Sequence, residues 1–370
     1  MKLTVALKAL GHLLLAPNVI LRSHGSQKIY YSTAMRHAKI VLGHIAKERG
    51  GKPWKSLIAP NISKLGSDRL RAAYTRVSRK MYGHASRENL IFVNWGYSAL
   101  DRVGFMPEEL GFTSYYVEND LFGFGRDQGR PVIGYLIDSQ RPYFDGRGPS
   151  DLEGLLNAYQ SGAWKSDPDA VALLDGLRSS PMHKYSQYSA SADELGIGSE
   201  DLVVFGQVES DAAWVKNLSS VRTNVEIVER AVAVAGPGGR VLYKAHPKHK
   251  TWKADEKLIA ERFPQVVQVD PKVSFKSMLV KKPRVMVNTS GTGLDAGLAG
   301  CEVMTVGLAF YAGWGATRDL GPVTERRHNR LTFEDIVIVI ISQYGRYFRR
   351  ETLETIGLKE IAAEIVKPRG

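Results

Sequence analysis

Three short runs of this sequence place polar, reactive side chains where an apolar run ends. Phe205 leads into Gly206-Gln207-Val208-Glu209-Ser210-Asp211, Lys244-Ala245 into His246-Pro247, and Val287 into Asn288-Thr289-Ser290-Gly291-Thr292. The third run opens a helix, so backbone N–H groups and hydroxyls gather at a helix N-terminus, which suits phosphate oxygens. His246 can donate to the same phosphate, because Pro247 keeps it out of helical geometry and fixes its exit from the strand. Asp295, one turn into the helix, can accept from ribose hydroxyls. Glu209 and Asp211 are carboxylates available for acid/base or nucleophilic work. Glu209 reads better as an acceptor that steadies its own loop, and Asp211 as the catalytic group. Together these residues suit recognition of a phosphorylated donor. Further on, Phe310-Tyr311-Ala312-Gly313-Trp314-Gly315 is too aromatic for a linker and too rich in glycine for a helix; it reads as a shaped wall beside a ligand.

The elements that must hold these residues follow a regular alternation. Strands are expected at 202–205, 241–244, 266–269, 285–287 and 303–306, with helices at 221–235, 254–263, 274–280 and 293–299 between them. That order means a parallel sheet with right-handed crossovers, whose ligands bind beyond the carboxyl ends of the strands. Upstream, strands are expected at 89–94, 113–117 and 132–137, with Tyr143-Phe144 as a further strand. A helix opens at Ser150, where the Ser150-to-Glu153 spacing is that of a capping box. The serine-rich stretch 179–199 reads as the domain junction, and 333–348 and 352–366 as closing helices. The expected fold class is therefore α/β, with two Rossmann-like domains facing a cleft. Domain boundaries fall at 1–190 for the first domain, with 1–88 mostly helical and basic, and at 191–345 for the nucleotide-binding second. The segment 346–370 is expected to be a helix packed back on the first domain.

With 370 residues, two domains are the default for one chain. The net charge of +12 is concentrated. Residues 1–88 carry 17 Lys/Arg against three acids, a net of +14, so the other 282 residues sum to −2. Such a region either binds polyanions, including an anionic membrane face, or is a solvated helical surface. It lacks a recognisable nucleic-acid recognition module, so no nucleic-acid partner is expected. The single cysteine, Cys301, suits a reducing compartment and reads as a packing residue. The apolar run 3–20 is interrupted by Lys8, Gly11, His12 and Pro17, too short and broken to span a bilayer. A cytoplasmic protein able to rest on the inner face of the membrane is expected.

The runs quoted above resemble those of the bacterial retaining β-Kdo transferases of the capsule polysaccharide biosynthesis family. Gln207-Val-Glu-Ser-Asp211 resembles that family's Q-x-x-x-D motif, and His246-Pro247 its HP motif. Ser290-Gly-Thr-Gly-Leu-Asp-Ala296 and Phe310-Tyr-Ala-Gly-Trp-Gly315 resemble its donor-binding segment and aromatic loop. Trp95-Gly96, Glu118, and Tyr143-Phe-Asp145 leading to Pro149-Ser-Asp-Leu-Glu153 follow the family order in the first domain. The likeness spans roughly residues 90–320. It implies a GT-B glycosyltransferase that takes Kdo from CMP-β-Kdo with no cofactor and no metal, and passes it to a glycan or lipid-linked glycan. By position it implies Asp211 as nucleophile and Glu118, across the cleft, as base for the acceptor. It further implies donor binding by Gln207, His246, Pro247, Ser290, Gly291, Thr292, Asp295, Tyr311 and Trp314. The sequence departs from the family at Asn119-Asp120-Leu121, where Asp-Gly-Phe commonly follows the glutamate. It also departs at Ala245 for proline, Ser210 for an acid and Asp295 for glutamate, and it carries one such module where capsule initiators often carry two. Two other readings stand beside this one: a GT-B transferase using a different activated sugar, and a non-catalytic glycan- or membrane-binding assembly protein of the same fold.

Overall fold

The computed structural model describes residues 28–366, except 32–35, 51, most of 56–89, 98–106, 112, 125–130, 180–189 and 250–251. In chain order the first elements are β1 (Lys28–Tyr31), α1 (Arg36–Glu48), β2 (Lys52–Lys55), β3 (Leu90–Trp95), β4 (Thr113–Asn119) and β5 (Val132–Asp138). Next come α2 (Asp151–Ala158), α3 (Pro168–Ser179), β6 (Leu202–Phe205), α4 (Ala212–Val215), α5 (Asn224–Ala235), β7 (Val241–Lys244) and α6 (Trp252–Arg262). They are followed by β8 (Val267–Val269), α7 (Phe275–Met278), β9 (Arg284–Val287), α8 (Thr292–Leu298), β10 (Val303–Thr305), β11 (Arg318–Asp319) and α9 (Phe333–Val339). The chain closes with β12 (Gly345–Arg349) and α10 (Leu358–Val366).

Two compact units divide these elements. The first comprises 1–120, 124–142 and 345–356, and the second 121–123, 143–344 and 357–370. The sheet of the first unit has the order β12-β5-β4-β3-β1-β2. β1 to β4 run parallel, whereas β5 and β12 each run antiparallel to their inner neighbour. Its core is apolar where strands and α1 meet: Val41, Leu42, Ile45, Ile91, Val93, Val117, Ile133 and Phe348 are buried. His44 of α1 ties three elements there. Its ring lies 3.0 Å from Tyr135 Oη and 3.0 Å from Thr355 Oγ1, and stacks on Phe348 at 4.2 Å. Burial pushes its pKa down.

The second unit holds the sheet β11-β10-β9-β6-β7-β8, parallel throughout. β6, β7 and β10 are buried along their whole length, as are the last three residues of β9, which is why all four read as continuous apolar runs. From β6 the chain winds outward through β7 to β8, then returns to the other side of β6 as β9. The carboxyl ends of β6 and β9 thus flank the point where the winding reverses, the place where open α/β sheets bind ligands.

Several expectations change at the level of elements. The basic N-terminal region contributes the strands β1 and β2 besides α1. Tyr143-Phe144 forms no strand; Tyr143 stacks edge-on against Phe310 at 4.9 Å within the second unit. The expected helix over 333–348 stops early, because Gly345–Arg349 pairs antiparallel with β5 from Leu136 to Val132. The junction lies at 143 rather than 190, since α2 and α3 pack against α9 and α10 in the second unit. The departure at Asp120 has a structural account. This buried carboxylate accepts from the Phe124 backbone at 2.8 Å and from Tyr347 Oη at 2.6 Å, fastening the exit of β4 to β12. No helix among the described residues is long and apolar enough to cross a membrane.

Candidate functional site

The three polar runs sit at the carboxyl ends of β7, β6 and β9, which are adjacent and parallel. Neighbouring strands lie about 4.8 Å apart, so the three loops form one short rim on the second unit. Asp211 stands at its exposed edge. Its backbone is extended, and Oδ1 accepts from Ala213 N at 3.2 Å, making it the N-cap of α4. Gln207 is buried two residues past β6 and binds across to the β9 run. Its Oε1 accepts from Thr289 N at 3.2 Å, and its Nε2 donates to Thr289 Oγ1 at 3.2 Å. Thr289 Oγ1 in turn donates to Ala213 O at 2.7 Å. Gln207 therefore spends its side chain joining two loops rather than facing solvent.

At the β9 exit, Ser290 Oγ meets Thr292 Oγ1 at 2.9 Å and accepts from Thr292 N at 3.3 Å. Gly291 is the exposed cap residue of α8, with no side-chain cap. His246 follows β7, half-buried, and its Nδ1 accepts from Lys248 N at 3.1 Å, which leaves Nε2 as the ring nitrogen able to donate. Pro247 beside it is half-buried. Asp295, half-buried on α8, lines a cavity of about 560 Å³ together with Phe275, Lys276, Leu279 and Lys282. Glu118 belongs to the first unit, half-buried on β4 with Leu136 of β5 as its partner in register.

The aromatic loop departs from its expected part. Tyr311 and Trp314 are both 0% exposed and present no wall to a ligand. Tyr311 Oη donates to Ser290 O and packs over Gly293, where an added Cβ would sit 2.2 Å from that oxygen. Trp314 Nε1 donates to Phe310 O at 2.9 Å. Tyr311 therefore buttresses the Ser290 turn, while Trp314 closes the aromatic loop on itself. The loop is held by Arg327, which donates to Ala309 O at 2.5 Å, Ala312 O at 2.6 Å and Glu153 Oε1 at 2.8 Å.

Two polar residues had no signal in the sequence beyond their type. Asn224, the first residue of α5, is 0% exposed and bonds both backbone groups of Gln207. Only its place behind the helix-capping Thr223 hinted at a structural part. Lys244, at the end of β7, is 7% exposed and donates to Pro271 O at 2.9 Å. Burial lowers its pKa from 10.5 to about 8. The unfolded chain thus holds a proton that the folded chain has released between those values, so folding stability rises with pH in that window. The shift corresponds to on the order of 3 kcal/mol between pH 8 and 10.5. Lys244→Met removes this slope; denaturant midpoints across pH 7.5–10.5 should converge toward the wild type as pH rises, and parallel profiles would refute the assignment.

Glu209, His249 and Asp255 bring ligand-type atoms within 4.8 Å of one another. Asn224 already engages two of the three: its N and Nδ2 donate to Glu209 Oε1 at 2.6 and 3.1 Å, and Nδ2 lies 3.4 Å from Asp255 Oδ2. A cation would have to displace those donors. Glu209 thus serves as a loop acceptor.

The second unit is a doubly wound parallel sheet with a polar rim at its reversal point, and with the first unit it makes a GT-B-like α/β protein. Residues 178–344 match the family model of the capsule polysaccharide biosynthesis protein. Among curated proteins, the chain is 28% identical over 240 residues to the capsule polysaccharide modification protein LipA of Neisseria meningitidis serogroup B. That match covers 64% of this chain but 33% of LipA, so the chain spans about a third of that relative. It is 25% identical over 319 residues to the lipopolysaccharide-processing protein LpsZ of Rhizobium meliloti, covering 80% of this chain and 69% of LpsZ. Two solved structures from Thermosulfurimonas dismutans share the fold. The KpsC β-Kdo 2,4 transferase superposes with a TM-score of 0.67 at 19% identity, covering 93% of this chain and 99% of that one. The KpsC β-Kdo 2,7 transferase gives 0.62 at 22% identity, covering 92% and 98%.

Proposed function

We propose that this protein is a retaining glycosyltransferase that moves Kdo from CMP-β-Kdo to a glycan or glycolipid during assembly of capsule, O-antigen or a related surface polysaccharide. The observation that carries this reading is the rim itself: an exposed carboxylate, Asp211, on the loop next to the Ser290 turn, within the segment that matches the family. In the first displacement, an Asp211 oxygen bonds to the anomeric carbon, and the bond to CMP breaks with its electron pair leaving on the phosphate oxygen. In the second, the acceptor hydroxyl oxygen bonds to that carbon, the Asp211 ester bond breaks, and the carboxylate is regenerated. The hydroxyl proton passes to a base, a part we assign to Glu118. Two inversions return the β configuration.

The phosphate of CMP would lie at Ser290 and Thr292, with His246 Nε2 donating to it. Asp295 would accept from the ribose, placing the nucleoside in the cavity on which that carboxylate opens. CMP leaves readily as a phosphate monoester, so neither a strong general acid nor a metal is called for in this scheme. The basic residues 1–88 would meet an anionic acceptor or the anionic inner face of the membrane. The test supplies CMP-Kdo synthase, Kdo, CTP and a small acceptor panel, with products read by NMR. A β-Kdo linkage is the expected product; no product, together with stabilisation by UDP or GDP but not CMP in a thermal-shift screen, would overturn the donor assignment.

A further inference from the structure

The polar atoms of the rim form one continuous chain that runs from buried Asn224 out to exposed Asp211. Asn224 holds Gln207 as a neighbouring strand would, its Oδ1 accepting from Gln207 N at 2.9 Å and its Nδ2 donating to Gln207 O at 3.0 Å. It does so just where β6 has ended and strand pairing on that side reduces to Gly206 N donating to Lys244 O at 2.9 Å. From Gln207 the chain continues through the two side-chain bonds to Thr289, then through Thr289 Oγ1 to Ala213 O, and through Ala213 N to Asp211 Oδ1. One asparagine on α5 therefore sets the backbone from which both the Asp211 loop and the Ser290 turn are measured. Glu209 and Asp255 fix the asparagine in turn by accepting from its N–H groups, and His249 Nε2 lies 2.9 Å from Asp255 Oδ2.

We infer that Asn224 is a positioning residue for sugar transfer: through Gln207 and Thr289 it fixes the distance between the nucleophile loop and the phosphate turn. Gln207 belongs to the same device and acts through its neighbours. This rests on the function proposed above only for its catalytic consequence; the mechanical coupling of the two loops stands by itself. A buried amide that loses one partner leaves donors and acceptors unpaired on the other, so removing Asn224 frees Gln207 N and O together. CMP would still find Ser290, Thr292 and His246. What is lost is registration of Asp211 with the anomeric carbon, where small displacements are costly.

The experiment compares Asn224→Ala with Thr223→Ala, which removes the cap of the same helix without touching Gln207. Hydrogen exchange in the whole protein is the first readout. Asn224→Ala should speed exchange at least tenfold in both 207–213 and 289–292, while Thr223→Ala speeds it within 224–235. Exchange unchanged in either loop of Asn224→Ala would overturn the coupling. The second readout uses CMP-Kdo turnover well below both melting temperatures. Asn224→Ala should lose at least tenfold in kcat with less than a threefold change in CMP affinity, while Thr223→Ala keeps its kcat. Equal kcat losses in the two variants would reduce Asn224 to a stability residue. A wild-type protein inactive on CMP-Kdo would sink the proposed function, and exchange alone would then decide the coupling.

Discussion

Asp211→Asn should leave the protein folded and abolish sugar transfer, with a fall in kcat of at least about a thousandfold, the scale on which loss of a covalent nucleophile registers. Asparagine is the informative replacement because Asp211 has a structural task besides the catalytic one proposed for it. It caps α4 through Oδ1, and an asparagine oxygen caps a helix as well as a carboxylate does. Alanine would remove both tasks and cost about 1 kcal/mol of local stability besides. The neutral amide keeps the cap and cannot form the glycosyl ester. CMP affinity by calorimetry should be unchanged, and intact-mass spectra of the wild type with donor alone should show a sugar adduct absent from the variant. Full turnover by Asp211→Asn would remove this residue from the mechanism.

The largest effect on stability is expected at Glu153. This buried carboxylate faces Arg327 at 2.8 Å and Arg326 at 2.9 Å, with the Arg327 side chain 2% exposed. Glu153→Ala would strand a buried guanidinium whose other bonds among the described residues go to the carbonyls of Ala309 and Ala312. Breaking a buried pair from one side costs about 3–5 kcal/mol, a large share of a typical folding free energy. Urea melts should show that loss, and near-ultraviolet dichroism should report a loosened Trp314, since Arg327 lies 5.6 Å over its ring. Glu153→Ala/Arg327→Met removes the stranded charge as well and should recover much of the stability. A double variant no more stable than the single one would show that packing of the 309–315 loop, and not the unpaired charge, carries the cost.

The parts of this architecture legible in the sequence were those written in local pattern. β6, β7, β9 and β10 are buried apolar runs, and each ends in polar residues at a strand's carboxyl end, so both the sheet and the rim could be read directly. What could not be read depended on distant partners. Gly345–Arg349 continues an apolar pattern that suits a helix, and only β5, more than two hundred residues earlier in the chain, makes it a strand. Tyr311 and Trp314 carry the types of a ligand wall, yet an aromatic beside glycine packs equally well beneath a turn, and Gly293 is the space Tyr311 fills. Asn224 looks like any polar residue opening a helix; its importance lies in Gln207, which no spacing rule connects to it.

Synthesis of the chain meets a particular difficulty at β12. The first unit is completed by Gly345–Ile356, while residues 143–344 build the second. During translation β5 therefore waits as an open sheet edge until a second folding unit has been made. At ribosomal speeds of about 5–20 residues per second, that wait lasts on the order of 10–40 s. An unpaired edge invites pairing with other chains. The backbone edge of Val132–Leu136, which pairs with Gly345–Arg349 in the finished protein, would be unpaired meanwhile. The interval ties the protection of that edge to how promptly the second unit is made and folds.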